Sequence, residues 1–383
     1  MMDFALREEQ RMVRDMVREF AEGELAPGVA ARERRDEFPR EPLRRAAELG
    51  LFGMTIPEEW GGAGLDHVSA ALAIEEIACV CPSTSVTLSV TNSVCAWPIW
   101  KFGSPAVRKR LLPPLARGEK LGAFMLTEPG AGSDSANQKT RAVRTGDAYE
   151  LTGTKAWVTN AGAADVYVTI AATDPSRGAK GISAFVVEAG TPGISIAKVE
   201  DKMGLRSSLT AQVVLDSVRV PAECRLGEEG QGMAVALESL SGGRTGIAAQ
   251  AVGIARGAQE EAIRYARERH AFGKPIAEFQ AIQWMLADSH VGIEAARALT
   301  LRAADLRDRG LPYATASSMA KLFAAEIANR VAAAAVQIHG GYGYSREYRV
   351  ERLYRDARVL TIYEGTSQIQ RMIIARSLLG ASS

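Results

Sequence analysis

The chain has 383 residues, of which 47% are hydrophobic and 24% are charged, as in an ordinary globular protein long enough for two or three domains. Its 46 basic and 45 acidic residues leave a formal net charge of +1. This balance gives no reason to expect a nucleic acid or an anionic membrane surface as a partner.

The first third of the chain has the pattern of helices. Apolar residues recur at helical spacing near the amino terminus, namely Met12, Val13, Met16, Val17 and Phe20. We expect Pro27 to end this helix and a second helix to cover residues 41–51. The glycines of segment 61–64 predict a turn before an Ala-rich helix that reaches about Ala78. Segment 83–102 is apolar with interleaved hydroxyls, which predicts a buried helix lining a cavity.

From about Leu121 the pattern changes to short strands separated by turn residues. Five segments are rich in Val, Ile, Thr and aromatic residues: 149–152, 166–171, 182–188, 194–199 and 212–220. No helical crossover separates them, which favours an antiparallel sheet or small barrel over a doubly wound nucleotide fold.

After roughly Gly230 the chain is again helical. One apolar stripe consists of Met319, Leu322, Phe323, Ile327 and Val331, and Gly340-Gly341 should stop that helix. Long helices with short connections predict an antiparallel bundle. The fold class is therefore α+β, with a helical domain over 1–120, a β domain over 121–230 and a helical domain over 231–383.

Disulfides, metals and membrane spans are not expected. Four cysteines in a long chain do not suggest a disulfide framework, and four histidines show no metal-binding spacing. No apolar run reaches the roughly 18 residues that cross a bilayer. The charged amino terminus lacks the apolar stretch of a signal peptide, so a cytoplasmic location is expected.

The strongest chemical signal is the segment 362–368, Ile-Tyr-Glu-Gly-Thr-Ser-Gln. Glu364 is its one titratable carboxylate, and burial beside apolar walls would raise its pKa toward that of a general base working at neutral pH. The hydroxyls and amide that follow could bind the polar edge of a cofactor. A Glu-Gly pair by itself is more often an ordinary turn.

The sequence IYEGTSQIQR, which begins at Ile362, closely resembles the catalytic signature of the acyl-CoA dehydrogenase family. The resemblance implies a helical domain, a β-barrel-like domain and a four-helix bundle, with FAD as the cofactor. It also implies that Glu364 is the base, that Gly365 contacts the substrate, and that Thr366 and Gln368 contact FAD.

Two further segments resemble the family's flavin-binding segments. The run 124–134, FMLTEPGAGSD, is by itself a glycine-rich turn that is as often structural as ligand-binding; it is neither a P-loop nor a Rossmann fingerprint. Trp157 by itself would most often be core packing. The resemblance implies FAD contacts for Phe124, Leu126, Thr127, Gly132, Ser133, Trp157 and Thr159, with Ser133 also meeting the acyl-CoA.

Segment 240–244, Leu-Ser-Gly-Gly-Arg, is predicted to open a helix, with Arg244 either in a surface ion pair or, by resemblance, in contact with acyl-CoA. Many relatives have Asp where this chain has Ser241, which weakens any substrate contact there. Relatives of the isovaleryl and long-chain type carry their base at the position of Gly243. In this chain that leaves Glu364 for the role.

A second group resembles the segments that reach the FAD of a neighbouring subunit. Its members are Arg269, Phe272, Gln280, Gln337 and Gly341. A site shared between chains implies a homotetramer. Arg376 matches a position that touches CoA, although the residue type fits a surface role nearly as well.

Two patterns are interpreted as structural. Ser318-Met319-Ala320-Lys321 spells the S-x-x-K of serine acylases, but it lies in an amphipathic helix without the partner motifs. The charge run of Arg352, Arg355, Asp356 and Arg358 is expected on a solvated or inter-subunit face.

The resemblance implies FAD-dependent α,β-dehydrogenation of a short-chain or short branched acyl-CoA, with electrons passed to an electron-transferring flavoprotein. Three alternatives are a medium-chain preference, a flavin oxidase or monooxygenase on the same scaffold, and a catalytically silent scaffold.

Overall fold

The computed structural model describes residues 5–380. The amino-terminal part of these residues is helical, as the periodicity predicts. Its helices are α1 (Glu8–Phe20), α2 (Ala26–Arg35), α3 (Arg40–Glu48), α4 (His67–Val80), α5 (Pro82–Val90), α6 (Trp97–Phe102) and α7 (Pro105–Ala116).

Pro27 does not end the first helix, so that prediction is wrong. A π-helical turn over Ala21–Leu25 joins α1 to α2, and Pro27 lies in the first turn of α2. A proline is tolerated there because the altered hydrogen bonding of the turn does not need its missing N–H. The helix ends instead at Asp36, which adopts a left-handed conformation with φ 54°.

The segment 83–102 forms a buried helical stretch, as predicted. The helix α5 is buried along its whole length and continues through a π-helical turn, Thr91–Ala96, into α6. Two of its threonine hydroxyls make their contacts within the helical stretch, since Thr87 Oγ1 donates to Ser83 O at 3.2 Å and Thr91 Oγ1 to Thr87 O at 3.0 Å, whereas the buried Ser89 hydroxyl has no partner among the described residues.

An eight-stranded sheet forms the middle of the chain. Its strands are β1 (Gly122–Met125), β2 (Arg141–Thr145), β3 (Ala148–Thr159), β4 (Val166–Ala172), β5 (Ile182–Glu188), β6 (Ile194–Val199), β7 (Thr210–Pro221) and β8 (Arg225–Leu226). The order is β6-β7-β3-β2-β4-β5-β8, with β1 beside β4. The five predicted strands correspond to β3 to β7. Most pairs are antiparallel, but β1 runs parallel to β4, from Gly122 opposite Val166 to Met125 opposite Thr169.

The carboxyl-terminal part is a group of packed helices. They are α8 (Gly232–Glu268), α9 (Gln280–Asp308), α10 (Ala314–His339), α11 (Arg349–Arg358) and α12 (Ser367–Leu378), with the short strands β9 (His270–Ala271) and β10 (Lys274–Pro275) after α8. The helix α10 ends at His339 before Gly340, as predicted. The prediction that segment 240–244 opens a helix is wrong, because α8 begins at Gly232 and this segment lies in its interior.

The three large hydrophobic cores of the described residues correspond to the amino-terminal helices, the sheet with α7, and the carboxyl-terminal helices with the valines of α5 and its π-helical turn. Phe124 packs against both of the last two cores, so the end of β1 lies where the sheet meets the helices.

In residues 5–380 no helix is long and apolar enough to span a membrane, and no cluster of His, Cys, Asp or Glu could hold a metal ion. All four cysteines are buried free thiols.

Candidate active site

Glu364 lies on a tight turn between α11 and α12. Glu364 and Gly365 both have positive φ, 50° and 91°, a conformation that costs a non-glycine residue roughly 1–3 kcal/mol. Thr366 then caps α12, with its Oγ1 accepting from the Ile369 N–H at 3.3 Å. The turn therefore needs stabilisation from the surrounding structure.

Side chains from three helices hold this turn. Lys321 Nζ, from α10, donates to Gly365 O at 2.7 Å. Gln370 Nε2, from α12, donates to Glu364 O at 3.1 Å and to Gly365 O at 3.0 Å. The Tyr363 hydroxyl donates to Gln250 Oε1 of α8. Both carbonyls of the turn are thus satisfied, whereas the Glu364 N–H has no hydrogen-bond acceptor among residues 5–380.

The Glu364 carboxylate lies directly against α8 at Gly243. A β-carbon added to Gly243 would come within 2.2 Å of Glu364 Oε2, so any side chain at 243 would compete with the carboxylate for the same space. Oε2 is buried and has no hydrogen-bond partner in the described part of the chain. An unpaired, buried carboxylate oxygen is costly, which is typical of a functional group rather than of a structural one.

The electrostatics of this site favour a base near neutrality. Burial raises the pKa of Glu364 to about 7, while the positive charges of Lys321 and Arg244 act in the opposite direction. Arg244 is buried in α8, where burial lowers its pKa and its Nε has no partner within the described residues. Burial also lowers the pKa of Lys321, to about 8. A carboxylate with such a pKa can exchange a proton with a substrate at physiological pH.

A buried lysine joins the segment after β1 to β3. Lys155 Nζ donates to Leu126 O at 3.1 Å, to Glu128 Oε1 at 2.9 Å and to Gln138 Oε1 at 3.1 Å. The backbone supports the same contact, because the Ala156 N–H donates to Thr127 O at 2.9 Å. Leu126 and Thr127 are consequently fixed beside the end of β3.

Trp157 is 62% exposed and has a positive φ of 58°, so it does not pack in the core of this chain. Thr159 is partly exposed two residues later. Buried Asn160 anchors this end of β3, since its Nδ2 donates to Gly122 O at 2.8 Å and to Thr87 O at 3.3 Å. An exposed indole on a well-anchored strand end is suited to contact a flat ligand.

The glycine-rich part of the segment after β1 is exposed to solvent. Gly132 and Ser133 are exposed, and a β-carbon on Gly132 would meet nothing within 4 Å. Packing within the chain therefore does not require glycine there. Phe124 at the start of the glycine-rich segment and Tyr363 of the Glu364 turn both pack on the core of the carboxyl-terminal helices.

The second predicted group lies elsewhere on the chain. Arg269, Phe272, Gln280, Gln337 and Gly341 are all exposed, Phe272 to 95%. Arg269 and Gly341 line a cavity of about 440 Å³, with the Arg269 guanidinium 5.5 Å from the centre of the Tyr342 ring. Arg269 follows the end of α8, so it lies roughly 37 Å along that helix from Arg244. One chain therefore keeps Arg269 well away from Arg244.

The remaining predicted residues are placed as follows. Ser241 is buried and donates to Leu237 O at 2.9 Å, within its own helix. Gln368 and Arg376 are exposed on α12. Sequence reasoning did not identify Lys321, Lys155 or Gln370, whose side chains hold the turn and the β1 segment. Lys321 drew attention only as part of an S-x-x-K pattern, which is indeed inside a helix.

Comparisons with known proteins agree along the chain. Three segments match family models described as acyl-CoA dehydrogenase N-terminal, middle and C-terminal domains, at residues 7–119, 123–218 and 230–379. The chain is 48% identical to the short-chain-specific acyl-CoA dehydrogenase of Clostridium acetobutylicum, over 98% of this chain and 99% of the relative.

Two solved structures are similar over nearly their whole length. Butyryl-CoA dehydrogenase from Megasphaera elsdenii has a TM-score of 0.97 and 46% identity, covering 99% of this chain and 100% of that chain. A chain in a structure of the electron transferring flavoprotein of Acidaminococcus fermentans has a TM-score of 0.98 and 48% identity, with the same coverage of 99% and 100%.

Proposed function

Because this chain belongs to the acyl-CoA dehydrogenase family and is an FAD-dependent oxidoreductase, we propose that it converts a short-chain acyl-CoA to the trans-2-enoyl-CoA with Glu364 as the base. One observation carries the assignment of the base. The carboxylate of Glu364 has a buried, unpartnered oxygen against Gly243 and a pKa raised by burial to about 7.

The proposed reaction removes hydrogen from two adjacent saturated carbons. Glu364 takes the proton from the carbon next to the thioester carbonyl, which needs a base that is ionised at neutral pH yet poorly solvated. Negative charge then develops on the thioester oxygen and must be stabilised. The Glu364 N–H, which has no acceptor within residues 5–380, and the positive charge of Arg244 are suited to that role.

The residues around the end of β3 fit FAD, which when bound supplies the acceptor for the hydride of the neighbouring carbon. Exposed Trp157, partly exposed Phe124 and the open backbone at Gly132 can cover a planar ring and exclude water from it. The residues proposed to hold the cofactor from this chain are Phe124, Leu126, Thr127, Gly132, Ser133, Trp157, Thr159, Thr366 and Gln368.

The second group is proposed to contact the FAD of a neighbouring copy in a homotetramer. Its five residues are exposed, and Arg269 lies at the far end of α8 from Arg244, which supports a role between subunits rather than within one. Gly365, Ser133, Arg244 and Arg376 are the proposed acyl-CoA contacts, of which Ser133 and Arg376 are exposed. The domain boundaries at 120 and 230 and a cytoplasmic location remain predictions from the sequence.

The test is the Glu364→Gln variant. It keeps the size of the side chain and removes the base, so it should retain yellow, flavin-loaded protein and lose butyryl-CoA oxidation. Undiminished oxidation by the variant would refute the assignment of the base. A variant without flavin would instead indicate a structural role for Glu364.

Chain length and electron acceptor need separate assays. We expect butyryl-CoA to be preferred over octanoyl- and palmitoyl-CoA with an artificial acceptor, although a methylene in an apolar pocket changes selectivity by only about 1–3 kcal/mol. Reduction of an electron-transferring flavoprotein by the substrate-reduced enzyme would support that partner, in line with the solved relative. Steady peroxide formation without an acceptor would favour the oxidase alternative.

A further inference from the structure

Lys321 is a fully buried lysine in the interior of α10, with 0% of its surface exposed. Its one hydrogen bond among the described residues goes to the Gly365 carbonyl at 2.7 Å, and it forms no ion pair with a described carboxylate. Burying an ammonium group is costly unless its charge meets a partner or a function. Lysine is almost never fully buried without a paired charge.

Resting on the proposed function, we propose that Lys321 is the positioning residue of the catalytic base: it anchors the Gly365 carbonyl and favours the ionised form of Glu364. The function proposed above needs only the carboxylate itself. Here a helix lysine, 43 positions earlier in the sequence, sets both the place and the charge of that carboxylate.

The anchoring follows from the geometry of the turn. Glu364 and Gly365 have consecutive positive φ values, so few local interactions can keep the turn in place. The Gly365 carbonyl accepts from Lys321 and from Gln370, and Gln370 lies on the helix that the turn itself begins. Lys321 alone ties this carbonyl to the long helices of the core, as far as the described residues show. The Glu364 carboxylate is thereby held against Gly243 of α8.

The effect of Lys321 on the ionisation of Glu364 follows from the charged and titratable groups that face Glu364. They are Lys321 from α10 and Arg244 from α8, with the neutral hydroxyl group of Tyr363 on the turn itself. Both cations lower the pKa of Glu364 against the effect of burial, and Glu364 in turn raises the pKa of Lys321. Arg244 also faces Tyr313. Loss of Lys321 therefore leaves one cation to keep a buried carboxylate ionised.

The experiment compares two variants. Lys321→Met removes both the hydrogen bond to the Gly365 carbonyl and the positive charge, whereas Lys321→Gln keeps a hydrogen-bond donor for that carbonyl but removes the charge. The carboxyl titration of Glu364 is followed by infrared difference spectroscopy on flavin-loaded protein, and Glu364→Gln identifies the signal. This readout needs no turnover. A wild-type protein that titrates but oxidises no acyl-CoA would count against the proposed function alone.

Arg297→Met is the matched control. Arg297 of α9 is a partly buried cation whose Nη2 lies 2.8 Å from Glu75 Oε1, and it does not face Glu364. Both Lys321 variants should move the Glu364 titration and the acid limb of kcat/KM to higher pH. If the pKa of Glu364 rises by about one, its ionised fraction at a given pH on that limb should fall about tenfold. Arg297→Met should move neither the titration nor the acid limb.

The variants also separate anchoring from charge. Lys321→Gln should keep kcat at high pH closer to wild type than Lys321→Met does, because the turn keeps its hydrogen bond. A folded Lys321→Gln protein whose Glu364 titrates as in wild type would overturn the proposal. If Lys321→Met does not fold, Lys321→Gln decides alone.

Discussion

The position of Gly243 permits a sharp test, because one added methyl group should affect activity and stability in opposite directions. A β-carbon at 243 would lie 2.2 Å from Glu364 Oε2 and 3.0 Å from its Cδ, whereas ordinary contact begins at 3.4 Å. The carboxylate must therefore retreat by about 1 Å, and a displacement of that size can reduce a rate about 100-fold. In free energy this is about 2.7 kcal/mol of transition-state stabilisation.

The same change should not harm the fold. The atoms that the methyl group meets are the far end of a flexible side chain, and alanine in a helix interior is more favourable than glycine by up to ~1 kcal/mol. We therefore expect Gly243→Ala to retain flavin, to unfold at an equal or higher urea concentration, and to lose kcat about 100-fold with butyryl-CoA.

Gly253→Ala, ten residues further along α8, is the control with the opposite pattern. Its β-carbon would lie 2.3 Å from the Glu75 carbonyl oxygen and 2.9 Å from the Cys79 nitrogen, which are backbone atoms of α4. Overpacking of this kind costs about 1–3 kcal/mol, so this variant should be less stable yet keep its kcat. A Gly243→Ala enzyme with kcat within about twofold of wild type would show that Glu364 does not occupy the catalytic position.

Three further changes test other parts of the site. Lys155→Met leaves Glu128 buried without its cation, so we expect a loss of about 3–5 kcal/mol in urea unfolding together with weaker flavin retention; unchanged stability would contradict the interpretation of this pair. Trp157→Ala should change the free energy of unfolding of flavin-free protein by less than about 0.5 kcal/mol, because the indole is exposed, but should increase the rate of flavin loss on dilution. In the folded protein the pKa of Glu364 is about 7, above its ordinary value of 4.5. The fold is therefore stabilised when Glu364 is protonated, and this stabilisation is lost as the pH rises from about 4.5 to about 7. Glu364→Gln should therefore gain stability relative to wild type on going from about pH 5 to about pH 8, by up to about 3 kcal/mol, and an equal difference at both pH values would argue against the raised pKa.

Local sequence patterns predicted many of the strands and helices of this protein and two of its chemically informative segments. The alternation of apolar and turn residues predicted the strands β3 to β7, and helical spacing predicted the helices on either side of them. The segment around Glu364 was found because its chemistry lies in consecutive residues. The same holds for the glycine-rich segment that follows β1, whose open backbone needs no distant contact to be noticed.

The tertiary structure alone decided which residues act on those segments. Lys321 is an ordinary helix residue in the sequence, and Gly243 was noted only as the position of the base in some relatives, without its contact with Glu364. Segment 240–244 even suggested the start of a helix that in fact begins at Gly232. Their roles arise because α8 and α10 pack against a turn more than 40 positions later, which brings an ammonium group to Gly365 and a bare backbone to Glu364. Periodicity reports which face of a helix is buried, but the pairing of two buried atoms depends on how separate segments pack in three dimensions.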